Sequence, residues 1–137
     1  MTLPLSDLRV LLVDDMPQAA KLLQMVFNGI GIHQVFVAKD GMEAQEFLDT
    51  ADEPMDLIVC DWQMPRMTGL ELLAQVRTAF SEMPFMMVTG NAEAESVRAA
   101  IALGVNAYIT KPFSPAQVQE KLMALINSIE NKMDLAS

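Results

Sequence analysis

A chain of 137 residues buries one hydrophobic core but not two, and 52% hydrophobic with 20% charged residues describes a folded protein, not a disordered one. A net charge of −9 opposes binding to nucleic acid or to an anionic membrane surface, and favours a basic partner or a bound cation. One cysteine excludes an internal disulfide, no stretch approaches the ~20 apolar residues that span a bilayer, and no basic N-terminal segment leads an apolar run, so a cytoplasmic protein is expected.

Val10-Leu11-Leu12-Val13 is an unbroken apolar run, the mark of a short strand buried on both faces, and it ends in Asp14-Asp15. From Met16 the period becomes helical, with Ala20, Leu23, Phe27 and Ile30 at three- and four-residue spacing, and Gly29 and Gly31 close the helix. Val35-Phe36-Val37-Ala38 reads as the second strand. Asp40 with Glu43 is a capping-box-like start for a helix through Leu48, and Thr50 to Pro54 reads as a loop.

The third strand, Leu57-Ile58-Val59-Cys60, runs out at Asp61, and Pro65 and Gly69 punctuate the loop behind it. Cys60 reads as a small core residue, and the twelve methionines, scattered along the chain, as adaptable core filler. Thr68 and Glu71 form a capping box for a helix with Leu70, Leu73 and Val76 on its inner side. Phe85-Met86-Met87-Val88 is the fourth strand, ending in Thr89-Gly90. Asn91 is placed to cap a helix whose inner face is Val97, Ala100, Ile101 and Leu103, with Gly104 ending it.

Val105 to Thr110 forms a fifth, shorter strand before Lys111-Pro112. Ser114-Pro115-Ala116-Gln117 then combines an N-cap, a proline at the first helical position and a glutamine at the third. The last helix turns Val118, Leu122, Leu125, Ile126 and Ile129 inward, and the polar tail after Glu130 is expected to fray. Five strands alternating with five helices predict an α/β domain over residues 1–137, with its core at about 8–130 and a parallel sheet covered on both faces.

In such a sheet the C-terminal strand ends lie along one edge, where α/β proteins present their chemistry. Asp14 and Asp15 fall there after the first strand, Asp61 after the third, Thr89 after the fourth and Lys111 after the fifth. Three carboxylates together repel one another unless a cation relieves them. A hard divalent ion such as magnesium suits them and leaves room in its shell for a phosphate oxygen. Lys111 then supplies a fixed charge to the phosphate, Thr89 a hydroxyl donor, and a carboxylate can attack phosphorus to form an acyl phosphate.

Taken singly, each residue has a plainer explanation. Asp15 could cap a helix, Lys111 could be a solvated loop residue, and Thr89 could satisfy backbone groups at its strand end. Tyr108 fits a core or interface aromatic as well as a switch, and Trp62 could cover the loop or sit exposed. His33 has no ligand partner in view. The convergence of the acidic, hydroxyl and basic residues is what favours chemistry.

The Asp14-Asp15 pair, Asp61 within Asp61-Trp62-Gln63-Met64-Pro65, the run Met67-Thr68-Gly69-Leu70-Glu71-Leu72, Met87-Val88-Thr89-Gly90, and Tyr108 leading to Lys111-Pro112-Phe113 stand in order at domain-consistent spacing. On these residues the chain resembles the receiver domains of two-component response regulators, with the single-domain chemotaxis regulators as the nearest group. The resemblance implies a flavodoxin-like (βα)5 fold with strand order 2-1-3-4-5. It implies that Asp61 is the phosphoacceptor, served by Thr89 and Lys111, and that a histidine kinase or phosphotransfer domain is the donor. Asp15, Asp61 and the Gln63 backbone carbonyl are expected to bind Mg2+ directly, with Asp14 acting through water and Mn2+ able to substitute.

The resemblance further implies a cis Lys111–Pro112 peptide and a switch through Thr89 and Tyr108. Gln63 and Asn91 would tune hydrolysis of the acyl phosphate, and Gly90 would leave the pocket open to a phosphodonor. Thr68 stands where the family often has aspartate and keeps the capping function. A downstream protein is expected at the face of the fourth helix, fifth strand and fifth helix, such as a flagellar motor switch or a phosphorelay intermediate. The protein is expected to be a monomer that acts as a phosphoacceptor and not as an enzyme.

Three alternatives carry their own signatures. An FMN binder needs a glycine- and hydroxyl-rich loop after the first strand, unlike Met16-Pro17-Gln18-Ala19. A magnesium phosphatase of this fold usually spaces its two aspartates by one residue, whereas Asp14 and Asp15 are adjacent. A phosphorylation-independent interaction domain has no use for the complete site. A receiver cut from a hybrid kinase or a longer regulator would read the same as a stand-alone one.

Overall fold

Apolar runs separated by helix-length segments pair in parallel, because each crossover returns the chain to the same end of the sheet. The computed structural model, which describes residues 4–90 and 94–136, has this architecture. A 3-10 turn, Leu5–Asp7, leads into β1 (Arg9–Val13), α1 (Pro17–Gly29), β2 (Gln34–Ala38), α2 (Gly41–Thr50) and β3 (Leu57–Asp61). Then follow α3 (Gly69–Ala79), β4 (Phe85–Thr89), α4 (Ala94–Ala102), β5 (Ala107–Thr110) and α5 (Pro115–Ala136). The strands pair in parallel in the order β2-β1-β3-β4-β5, the expected flavodoxin-like sheet.

Side chains alternate across each strand, so each face of the one sheet packs against its own pair of helices. Val10, Leu12, Leu57, Val59, Met86 and Val88 pack under Leu23 and Phe27 of α1 and Val118, Leu122 and Ile126 of α5. Leu11, Val13, Ile58, Cys60, Phe85 and Met87 face the other way, against Ala44 of α2 and Leu72, Leu73 and Val76 of α3. Cys60 is fully buried, and burial pushes its thiol well above the ordinary range, so it behaves as core and not as a redox group. Met55, Met64, Met67, Met83, Met86 and Met87 are all buried filler.

The predicted caps form. Asp40 Oδ1 accepts from the Glu43 N–H at 2.8 Å, Thr68 and Glu71 make the reciprocal box, and Ser114 and Gln117 bond each other's backbone N–H at 3.2 and 2.8 Å. Asn91, placed by sequence as the next cap, lies outside the described residues.

The structure corrects several expectations. Leu70 is only half-buried, and Leu72 takes the inner place beside Gly69, Leu73 and Val76. At 3.6 residues per turn Leu70 sits roughly a quarter-turn off that stripe. Ile101 is 63% exposed although Ala100 is buried, and Val97 and Leu103 are half-buried. Among the described residues α3 packs beside α4, and Ile101 stays exposed despite that contact. Thr50 closes α2 instead of opening the loop, β5 begins at Ala107, and α5 runs to Ala136.

Candidate functional site

Burial on both faces leaves a strand nowhere to place a charged residue except at its end, so each site residue falls where an apolar run stops. Asp14 directly follows β1 and extends its ladder, the Asp14 N–H donating to the Ala38 carbonyl at 3.0 Å. Asp61 is the last residue of β3, Thr89 the last of β4, and Lys111 follows β5. Asp14, Asp61 and Thr89 are buried, Lys111 is half-buried and Asp15 is exposed.

Asp14, Asp15 and Asp61 each offer a carboxylate oxygen, and the three oxygens lie within 4.8 Å of one another. Asp14 Oδ1 accepts from the Met16 N–H at 2.9 Å, whereas its buried Oδ2 has no hydrogen-bond partner among the described residues. Burial raises the Asp14 carboxyl above its ordinary range; the Met16 N–H and Lys111 oppose the rise, and Asp15 adds to it. Asp61 is likewise raised by burial, with Lys111 opposing and Asp14 repelling. A buried carboxylate oxygen without a donor among the described residues, beside two further carboxylates, suits a cation with oxygen ligands. The residues present therefore fit a divalent ion such as magnesium.

Lys111 Nζ lies 3.4 Å from Asp61 Oδ1, and the Lys111 N–H donates to the Thr89 carbonyl at 2.7 Å, which ties the lysine to the end of β4. The Lys111–Pro112 peptide is cis. The Thr89 and Tyr108 side chains are hydrogen-bonded, and burial raises the Tyr108 phenol against the effect of that bond. Thr89 thus has a side-chain partner one strand away, where its plainer reading had it satisfy backbone groups at the strand end.

Gln63 is exposed in the loop two residues beyond Asp61, and Trp62 is half-buried against the core on the α3 side. Gly90 is exposed, and a Cβ built there would meet nothing within 4 Å, so the position adds no obstruction. Asn91, expected to tune hydrolysis, lies outside the described residues. The loop's far end is set by Gly69, where a Cβ would stand 2.5 Å from the Asp61 carbonyl oxygen. Only glycine lets α3 start this close to the end of β3.

The sequence reading missed one contact at this edge. Asp40, read only as a cap, also accepts a hydrogen bond from the Arg66 guanidinium, and Arg66 holds a positive φ of 69°. No local pattern signals it, since the partners are 26 residues apart. An arginine behind Pro65 looks like a solvated loop residue.

Residues 10–123 match the family model of the response regulator receiver domain. The chain is 35% identical over 123 residues to the chemotaxis protein CheY1 of Helicobacter pylori, covering 88% of this chain and 98% of that protein. It is 37% identical over 117 residues to the CheY homolog of Campylobacter jejuni, covering 84% and 89%. Among solved structures, a CheY-like receiver domain protein from Methanospirillum hungatei superposes with a TM-score of 0.84 at 28% identity, over 91% of this chain and 98% of that one.

Proposed function

The chain belongs to the response regulator receiver domain family, and on that premise we propose that Asp61 accepts a phosphoryl group from a histidine kinase or phosphotransfer domain and that the product switches binding to a protein partner. The observation that carries this reading is the gathering of the Asp14, Asp15 and Asp61 carboxylates within 4.8 Å, with Lys111 set against Asp61. Asp14, Asp15, Asp61 and the Gln63 backbone carbonyl would hold Mg2+. When bound, the ion offsets the carboxylate charge and the charge of an incoming phosphoryl group.

In the forward step an Asp61 carboxylate oxygen attacks phosphorus of the phosphoimidazole. The P–O bond forms, the P–N bond breaks, and the imidazole nitrogen leaves with the bonding pair and takes a proton from solvent. Lys111 turns its ammonium from Asp61 to a phosphoryl oxygen, a charge-assisted contact. In the return step water attacks phosphorus, the acyl P–O bond breaks, and inorganic phosphate departs with the water's oxygen. Asp61 is then a carboxylate again, so the protein is a recycled acceptor and turns over no separate substrate.

Thr89 links this centre to the surface. If its hydroxyl turns to a phosphoryl oxygen, Tyr108 loses its partner and is free to move inward, a two-state change biased by a new local charge. The output face is α4, β5 and α5, where the 63% exposed Ile101 supports coverage by a protein. The chemotaxis names of the Helicobacter and Campylobacter relatives favour a motor-switch partner over a phosphorelay intermediate.

Intact-mass measurement after incubation with Mg2+ and acetyl phosphate tests the reading. The wild-type chain gains one phosphoryl group and Asp61→Asn gains none. A wild-type chain that stays unmodified under conditions that label another receiver overturns it.

A further inference from the structure

Arg66 lies in the loop between β3 and α3, three residues beyond Gln63, with φ at +69°. An L-residue other than asparagine or aspartate rarely takes that conformation, and persists in it only where its surroundings over-determine it. What holds Arg66 is Asp40 at the head of α2, whose buried Oδ2 accepts from Arg66 Nη2 while Oδ1 accepts from the Glu43 N–H at 2.8 Å. Both carboxylate oxygens are engaged, so Asp40 is a fixed anchor. The Glu43 N–H and then Arg66 hold its carboxyl below the ordinary range, so the anchor stays charged.

The rest of the loop packs onto the same anchor. Met64 and Met67 are buried, and a Cβ at Gly41 would stand 2.8 Å from the Met67 side chain, so α2 begins hard against the loop. The Met67 N–H donates to the Pro65 carbonyl at 2.7 Å and the Gly69 N–H to the Trp62 carbonyl at 2.8 Å. The strand order β2-β1-β3 places the end of β1, with Asp14, between the two strands whose following loops the pair joins. Gln63 itself is exposed, and a loop carbonyl is a poor ligand unless its backbone is held beforehand.

We propose that the Asp40–Arg66 pair is a strap that fixes residues 63–68 and presets the Gln63 carbonyl toward the Asp14–Asp15–Asp61 carboxylates, making Arg66 a positioning residue for the divalent cation. The strap rests on the reading of that trio as a cation site. Its effect is on affinity for the ion, and on phosphoryl acceptance only through that affinity.

The single tryptophan, Trp62, adjoins Asp61, so its fluorescence is the probe for a Mg2+ titration. Arg66→Met is expected to need ~10-fold more Mg2+ at the midpoint, the lower end of what losing a group that orients a ligand costs. In cation-free buffer its Met67 and Gly69 amides exchange hydrogen faster than in wild type, a readout that needs no ion. Asp40→Asn keeps a good N-cap but loses the charge, and should shift the midpoint alike. The double variant should be no weaker than either single one, since all three remove the same strap. A purely structural role would lower the urea midpoint and leave the Mg2+ midpoint in place. A Mg2+ midpoint within twofold of wild type in both single variants, with wild type responding normally, overturns the strap alone. A wild-type chain with no Mg2+ response overturns the cation site as well.

Discussion

Lys111 Nζ stands 3.4 Å from Asp61 Oδ1, a contact that joins the loop after β5 to the end of β3 across 50 residues of sequence. The ammonium offsets part of the raised pKa that burial and Asp14 impose on Asp61. Under the proposed function the same group is a fixed positive charge beside Asp61 for a phosphoryl oxygen. Lys111→Ala is therefore expected to slow phosphoryl uptake from acetyl phosphate by about a hundredfold, the scale for losing one preorganised donor to developing charge. The rate of mass gain checks this, and an unchanged rate would remove Lys111 from the site.

The buried Asp14 and Asp61 should cost stability when no cation is present. Burial raises Asp14 and Asp61 above the ordinary aspartate value of 3.8, so each binds its proton more tightly folded than unfolded. Their contribution is therefore most favourable below that value, declines as pH rises through the raised folded pKa, and is level above it. Asp14→Asn is expected to melt higher than wild type at pH 7 in chelator, by about 3–5 °C or about 1 kcal/mol. The gain should shrink toward pH 4. Melting curves of both proteins across that range decide it, and a variant less stable at pH 7 would count against the strain.

Cation binding should reverse that cost. At a Mg2+ concentration about 100 times the dissociation constant, wild type is expected to gain about 2.7 kcal/mol. Asp14→Asn and Asp61→Asn should gain far less. Thermal melts with and without Mg2+ measure the difference, and equal gains in all three proteins would place the ion elsewhere.

The hydrogen bond between Thr89 and Tyr108 couples the centre to β5. Thr89→Val and Tyr108→Phe are each expected to lower stability by about 0.5–1.5 kcal/mol, and a double-mutant cycle should return a coupling of about 1 kcal/mol. Tyr108→Phe should still take up phosphoryl groups at close to the wild-type rate, because its hydroxyl bonds Thr89 and not Asp61. Urea denaturation and mass gain separate the two effects. A cycle with zero coupling would mean that the bond does no work in the resting state.

Gly69 governs how closely α3 approaches the end of β3. A methyl group there would stand 2.5 Å from the Asp61 carbonyl and 3.0 Å from Trp62 Cα, both backbone atoms that move only with the strand end. Gly69→Ala is expected to cost about 1–3 kcal/mol, the range for overpacking, and to slow phosphoryl uptake because Asp61 shifts. Urea midpoints and labelling rates check the two parts.

Much of this protein was legible in the chain itself. Val10 to Val13, Leu57 to Cys60 and Phe85 to Val88 are unbroken apolar runs, because strands buried on both faces admit little else. Aspartate, threonine and lysine directly beyond such runs must come to one edge once the strands are parallel, and so the residues that gather there could be named in advance. The caps at Asp40, Thr68 and Ser114 were equally visible, since each is made within four residues of sequence. Periodicity was less informative where burial depends on a neighbour. It assigned Leu70 and Ile101 to inner faces, but what covers a residue is another element: α3 turns Leu72 inward, and Ile101 on α4 stays exposed. Tertiary structure alone decided the unpartnered Asp14 Oδ2, the Thr89–Tyr108 bond and the Asp40–Arg66 pair. Local pattern records which residues avoid water, whereas the direction in which a charged or hydroxyl group finds its partner depends on distances set only when separate loops meet.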